Sequence, residues 1–480
     1  MYSDTASLTH VERWLFTLVV AATLLFTLIT PPFQAPDENQ HYMKALLLSE
    51  GGVLTQTQGP MIGAQLPRAA TDLHDVDFPT ETPGAIQLYS LDMLRRAWSA
   101  DAARPGRRFA DFPNVANYAP TLYAPGAAGL VIGDAIGLPR LGAFYTGRMV
   151  NALVALGLIL LALRLLPFGR MALLGVALLP TAVYQTGSLS PDAVINSVGF
   201  LGLALALRIG HAPPRPARTA ALFLVAPLLA LAKGVYLPLM AAGLRWPRRG
   251  ERGPGLILGA MAAGAIVFIG WMSYSGGTPA LYHIISRKTG ENVMTAPLAD
   301  QLGYILGDPA GFARILLSSI VERAPVYALQ IVGRLGWNAI LLPLLAYPLA
   351  ALMLAGALLS GSGTRFSFGQ RLWWLAVAIG TALLVETAMY LTGTPLAADY
   401  VQGTQGRYFL PLMPLALMAL MPAWGMRAAP RILSVVAPLL LVVALGTAID
   451  SFWVHGFVTS DGMPPHDRPI DALLLPSPRW

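Results

Sequence analysis

Asp37, Glu38 and His41 stand in the stretch PDENQHYMK, a few residues after an apolar run that closes at Ile29. In a helix, His41 lies four residues after Asp37 and three after Glu38, so the three share one face. That combination suits proton chemistry. A carboxylate can take the proton of an attacking hydroxyl, and a neighbouring imidazole can orient it or bind phosphate. The Asp/His pair at i, i+4 also offers a divalent metal ion two ligands, too few by themselves to define a site. A purely structural account is equally available. Pro36 suits a first helical position, acids favour the positive end of a helix, and Gly51–Gly52 supply a stop.

Further groups repeat this ambiguity. In SLSPDAVIN, Ser190 suits an N-cap, Pro191 the first position and Asp192 a first-turn acid, with Asn196 one turn deeper. In QGTQGRYFLPL, Arg407 can grip a phosphate through two oxygens, or anchor a helix end beside the interfacial Tyr408. Lys233 sits at the tip of an apolar hairpin, where a cation either snorkels to the interface or meets a lipid phosphate. Arg334 in GRLGWN is a third cation of this kind. Arginine at most of these positions suits repeated two-oxygen contacts. No P-loop, dinucleotide fingerprint, HExxH or GxSxG occurs, so any activated donor must arrive ready-made.

The elements that must position these residues are membrane helices. Of the 480 residues, 55% are hydrophobic and 12% charged, against about 25% charged in soluble domains. There is no cysteine, which excludes disulfides, thiolate nucleophiles and Cys-bound metals. The net charge of +7 needs no nucleic acid partner, because Lys and Arg collect in short cytoplasmic loops of such proteins. The first apolar segment is longer than a signal-peptide core and is expected to be retained as a helix.

Spans are expected at 12–31, 145–165, 170–188, 191–209, 254–274, 337–359, 372–391, 408–425 and 431–450. A hairpin of 218–232 and 234–246 around Lys233 adds two. With eleven helices and the N-terminus inside, the Arg-rich loops Arg164–Arg170, Arg208–Arg218, Arg245–Arg252, Arg365–Arg371 and Arg427–Arg431 all fall on the cytoplasmic side. Residues 32–144 and 275–336 then form two large outer loops, the second carrying an amphipathic helix over 308–321, and 451–480 an outer tail. Tyr118–Gly137, broken by Pro and Gly, is expected to be interfacial or re-entrant. Nearly all the candidate residues fall on the outer face, and the helix middles are nearly bare of ionisable groups, Glu386 being the main exception. A transporter would need polar groups at the midplane and access from both sides.

At PPFQAPDENQHYMKAL the chain resembles a widespread family of uncharacterised bacterial multi-span membrane proteins whose motif runs Pro-Asp-Glu, two residues, then His. The resemblance continues at SLSPDAVINS, at the Lys of LLALAKGVYLPL, at GRLGW and at QGRYFLPLMPL, so it covers nearly the whole chain. The family often has Pro after the Glu, where this chain has Asn39. The family is similar to the GT-C glycosyltransferases, in which an acid of the first outer loop serves as catalytic base or metal ligand and the donor is a polyprenyl-phosphate sugar. The resemblance implies an all-α, GT-C-like membrane protein with Asp37 and Glu38 catalytic, His41 beside them, and Asp192, Lys233, Arg334 and Arg407 at family positions.

The expected function is an inverting sugar transfer from a polyprenyl-phosphate donor to a glycan or lipid acceptor, on the outer face of the bacterial inner membrane. A divalent ion is an optional cofactor, membrane lipid a partner, and nucleic acid is not. A lipid-linked glycan flippase and a non-catalytic scaffold for envelope assembly are the rival classes.

Overall fold

The computed structural model describes residues 7–59, 61–79, 90–99, 104–245, 251–275 and 298–455. The expectations for residues 276–297 of the second loop and for the tail beyond residue 455 lie outside the described residues. The chain forms helices for most of its length. Helix α1 (His10–Ile29) opens with a capping box in which Thr9 and Glu12 satisfy each other's backbone N–H. Its 20 residues span about 30 Å, the thickness of a hydrocarbon core.

The segment after α1 holds α2 (Glu38–Ser49), then a small lobe that the sequence did not announce. Strands β1 (Gln56–Gln58), β2 (Met61–Pro67) and β3 (Arg107–Asp111) form an antiparallel sheet in the order β1-β2-β3, with Gly63 opposite Asp111. Short helices α3 (Arg68–Asp72) and α4 (Leu91–Ser99) flank it. Arg104 grips Asp77 through two bonds of 2.6 and 2.7 Å, and Arg108 reaches Asp72 and Asp75. Helix α5 (Ala124–Ala135) follows, only about 18 Å long, too short to cross a bilayer.

Helices α6 (Arg140–Leu165), α7 (Arg170–Ala177), α8 (Pro180–Thr186), α9 (Asp192–His211), α10 (Pro216–Ala232) and α11 (Gly253–Tyr274) make the first half of the bundle. The span expected over 170–188 is two short helices. Pro180 lacks the N–H that would continue the first into the second, and the break is tolerated because the segment is buried in protein. At Lys233 the backbone is extended, and a 3-10 helix over Gly234–Gly243 packs back on α10, the hairpin arrangement.

The second half comprises α12 (Leu298–Gly307), α13 (Pro309–Gly333), the two-residue strands β4 (Arg334–Leu335) and β5 (Ile340–Leu341), α14 (Ala346–Leu359), α15 (Phe368–Gly393), a 3-10 turn over Gly406–Leu412, α16 (Met413–Leu420) and α17 (Ala429–Ile449). Seven described helices are long and apolar enough to cross a membrane, and four shorter apolar ones accompany them. The span expected at 337–359 starts only at Ala346, because the β4–β5 hairpin occupies its first turn.

Helix α13 is longer than the amphipathic helix expected over 308–321, and is itself among the seven. Its contacts follow one neighbouring segment: Phe312 on Tyr390, the Ser319 hydroxyl accepting from Val401 N, and Gln330 accepting from Gly406 N.

The Arg-rich turns gather at one end of the bundle. Phe168, His211, Phe366 and Trp374 stack together there, joining three of those turns. Arg371 donates to the carbonyls of Ala419 and Met421, and Gly361 abuts Trp424. The opposite end carries the end of α1, α2, and the starts of α6 and α9.

Helices α5 and α6 approach closely because both offer glycine. A Cβ on Gly129 would stand 2.6 Å from Gly147 Cα and from Thr146 O. Gly129→Ala is therefore expected to force the pair apart at a cost of about 1–3 kcal/mol, seen as a lower Tm in detergent. Gly270→Ala, which meets nothing within 4 Å, should leave Tm unchanged; equal Tm values for the two variants would refute the close-packing account.

Candidate functional site

The turn from α1 into α2 is strained in two places. Phe33 and Asp37 adopt positive φ values of 62° and 59°, a conformation costing a non-glycine residue about 1–3 kcal/mol. Surrounding contacts hold the turn there. The Phe33 ring packs on Tyr42 and Phe144, Trp337 Nε1 donates to Phe33 O at 2.8 Å, and Tyr184 OH donates to Gln34 O at 2.8 Å.

Asp37 occupies the N-cap position of α2, yet its carboxylate caps nothing. It turns instead to Arg407, whose Nη2 lies 3.1 Å from Oδ2, and the side chain is 30% exposed. The capping explanation thus fails for Asp37.

Glu38 is oriented quite differently. Its carboxylate is fully buried. Oε1 accepts from Arg148 Nε at 2.8 Å and from Leu189 N at 2.7 Å, while Oε2 accepts from Arg148 Nη2 at 2.6 Å. Arg148 also donates to the carbonyls of Thr30 and Pro31. Glu38 is therefore a strut joining α1, α2, α6 and the segment before α9, with no face open to a substrate.

Asp192 begins α9 and meets two cations, Arg407 Nε at 3.5 Å and Lys233 Nζ at 3.8 Å. The helix starts one residue later than expected, with Pro191 as its cap and the Ser190 hydroxyl accepting from Asp192 N at 3.2 Å. Lys233 stands 4.1 Å above the Tyr408 ring, and Tyr236 OH donates to Tyr408 O, fixing that ring's backbone. Tyr408 is thus a platform for a cation rather than a surface anchor. Asp37, Asp192, Lys233 and Arg407 form one ionic cluster of balanced charge.

His41 faces the same cluster from α2. Its Nδ1 lies 2.9 Å from Tyr123 OH and its ring stacks on Tyr118 at 6.3 Å. Burial pushes its pKa down to about 4, against the Asp37 and Asp192 charges that pull it up. It is neutral at neutral pH.

Arg334 and Asn196 lie to one side. Arg334 shares with Arg407, Gln185, Gln330 and Asn338 a small recess of about 10 Å³, roughly the space of one water, and among the described residues no carboxylate lines it. Asn196 reaches that wall through Gln185 Oε1 at 3.5 Å. Glu386, the acid expected at mid-depth, is two turns from the end of α15 and accepts from the Thr404 hydroxyl at 2.8 Å.

The trio offered to a metal ion is divided. Asp37 faces Arg407, Glu38 faces Arg148 and His41 faces Tyr123, and among the described residues no three acidic or His side chains are grouped to hold an ion. The residues as arranged do not fit a metal.

Sequence reasoning missed Arg148, Tyr118, Tyr123 and Gln330. Arg148 did carry a signal, since an ionisable residue inside an apolar helix is costly and demands a partner.

Residues 20–416 match the family described as "Predicted membrane protein (DUF2142)". The chain belongs to this family. No curated protein and no solved structure matches it significantly. The match covers every residue of the ionic cluster, so the strut and the cluster both lie within the part of the chain that defines the family.

Two expectations follow for this member of the DUF2142 family. Glu38→Gln leaves Arg148 as a buried unpaired charge and should cost about 3–5 kcal/mol, whereas Glu38→Met with Arg148→Met should recover most of it. Tm values of the three proteins test this, and a single variant as stable as wild type would remove the strut. For His41, the folded pKa of about 4 lies below the ordinary value of 6.5. Its contribution is complete above about pH 6.5 and drains away as the pH falls towards 4, by about 3 kcal/mol in all. His41→Gln should flatten Tm against pH in that window; superimposable slopes would contradict the assignment.

Proposed function

We propose that this protein is a membrane glycosyltransferase of the GT-C type, moving a sugar from a polyprenyl-phosphate donor to a cell-envelope acceptor on the outer face of the inner membrane. The observation that carries the reading is Asp37: an acid at an N-cap that caps nothing, held in a strained backbone, partly exposed, and aimed at Arg407. Strain held by surrounding contacts at a reactive-type side chain is a mark of functional sites.

In this reading Asp37 Oδ takes the proton of the acceptor hydroxyl as that oxygen bonds to the anomeric carbon. The carbon–oxygen bond to the donor phosphate breaks on the opposite face, and one displacement inverts the configuration. The leaving phosphate gains charge as the bond breaks, and Arg407, Lys233 and Arg334 are the groups to receive it. Lys233 and Arg407 are paired with Asp192 and Asp37 before donor arrives, so the phosphate exchanges with internal carboxylates. Glu38 has a supporting role, holding the turn that presents Asp37. The recess beside Arg334 is small, so donor entry requires the outer segments around 394–407 to move aside.

Turnover of polyprenyl-phosphate sugars by purified wild type, Asp37→Asn, Arg334→Gln and the control Asp92→Asn tests this. Asp37→Asn should still bind donor while transfer falls by about a hundred- to ten-thousand-fold. Arg334→Gln should weaken donor binding more than it slows the bound complex. Full transfer by Asp37→Asn would end its role as base. Donor binding without transfer by wild type would favour a carrier of lipid-linked glycan.

A further inference from the structure

At the end of the bundle that carries the Arg-rich turns, a groove of about 560 Å³ opens between the first turns of α1 and the last turns of α6. Pockets that hold small ligands have about 300–1,000 Å³. Leu8, Phe16 and Leu160 line it with Ser7 and Thr17, and each helix adds an arginine, Arg13 from α1 and Arg164 from α6.

Among the described residues the charges around it are one-sided. Arg13 touches the His10 ring at 3.1 Å, and Arg164 makes no hydrogen bond or ion pair among the described residues. The nearby acid Glu12 is buried, closing the α1 cap with Thr9 and lying 3.5 Å from Arg170. Among the described residues no carboxylate lines the groove.

Along α6 the groove continues as a stripe. Leu153, Gly157, Leu160 and Arg164 lie at i, i+4, i+7 and i+11, on one face of the helix. Leu153 is 52% exposed, and a Cβ on Gly157 would meet nothing within 4 Å. A trough of open apolar surface therefore leads from the two guanidiniums towards the middle of the bundle.

A single arginine at a helix end is ordinary snorkelling. Two on different helices, across one apolar recess, offer a phosphate diester a fork on each side. We propose that this groove is a binding site for an anionic glycerophospholipid of the leaflet opposite the ionic cluster. Its phosphate sits between Arg13 and Arg164, and one acyl chain lies in the trough over Gly157. The site stands apart from the sugar-transfer reading and survives its failure.

Native mass spectrometry of the full chain, released from detergent containing phosphatidylglycerol and phosphatidylcholine in equal amounts, tests the site. Wild type should keep one phosphatidylglycerol with a roughly tenfold or greater preference. Arg13→Gln with Arg164→Gln should lose that preference, while Arg365→Gln with Arg427→Gln, arginines of the same end, should keep it. Gly157→Leu fills the trough with both arginines intact and should also weaken retention, which guards against a charge variant that fails to fold. The proposal is overturned if the Arg13/Arg164 variant retains phosphatidylglycerol like wild type, or if the control pair loses it equally. Displacement of the lipid by an equal amount of a polyprenyl phosphate would overturn the glycerophospholipid assignment.

Discussion

The ion pair of Glu38 with Arg148 is the constraint on which the candidate site rests. It is sealed from solvent and gathers the end of α1, the start of α2, the first third of α6 and the backbone before α9 onto two side chains. Such a pair contributes little net stability over an apolar substitute, but it leaves little freedom of arrangement, because each partner is intolerable without the other. With Glu38 pinned inward, its neighbour Asp37 must leave the helix in another direction. The left-handed backbone at Asp37 is the geometric result, and Arg407 is what lies on that side.

The cluster around Arg407 follows a different electrostatic rule. Two acids and two cations stand within about one side-chain length, so no charge there is far from its opposite. The tyrosine rings at Tyr408 and Tyr118 and the neutral His41 surround them with polarisable, weakly hydrated surface. An arrangement that is balanced when empty can accept a phosphate only by rearranging its pairs, which links binding to the freeing of a carboxylate. A bundle whose arginines were unpaired would bind any anion. In the proposed reading, this one would discriminate by requiring that a pair be given up.

Much of the helix map was legible in the sequence because composition dictates it: apolar runs of about 20 residues have few alternatives in lipid. The convergence of Asp37, Asp192, Lys233 and Arg407 was also legible, as a shared end of several helices. What escaped was information carried by distant partners. Asp37 and Glu38 look interchangeable until Arg148, 110 residues past Glu38, claims one of them. The three-stranded sheet escaped because MIGAQLP has no clean alternation and its partner strand lies 40 residues on. The break at Pro180 was visible in LLPTAV, yet an apolar composition on both sides masked it.

The order in which these contacts become available along the chain has a consequence for assembly. Glu38 and Arg148 both belong to the first third, so the buried strut can close while most of the protein is still unmade. Arg407 is separated from Asp37 by 370 positions and joins only after nearly all the helices exist. The charged cleft is therefore completed late, with only α16, α17 and the residues after them still to be added. A chain interrupted before that point would hold the buried strut but leave Asp37 without its cation.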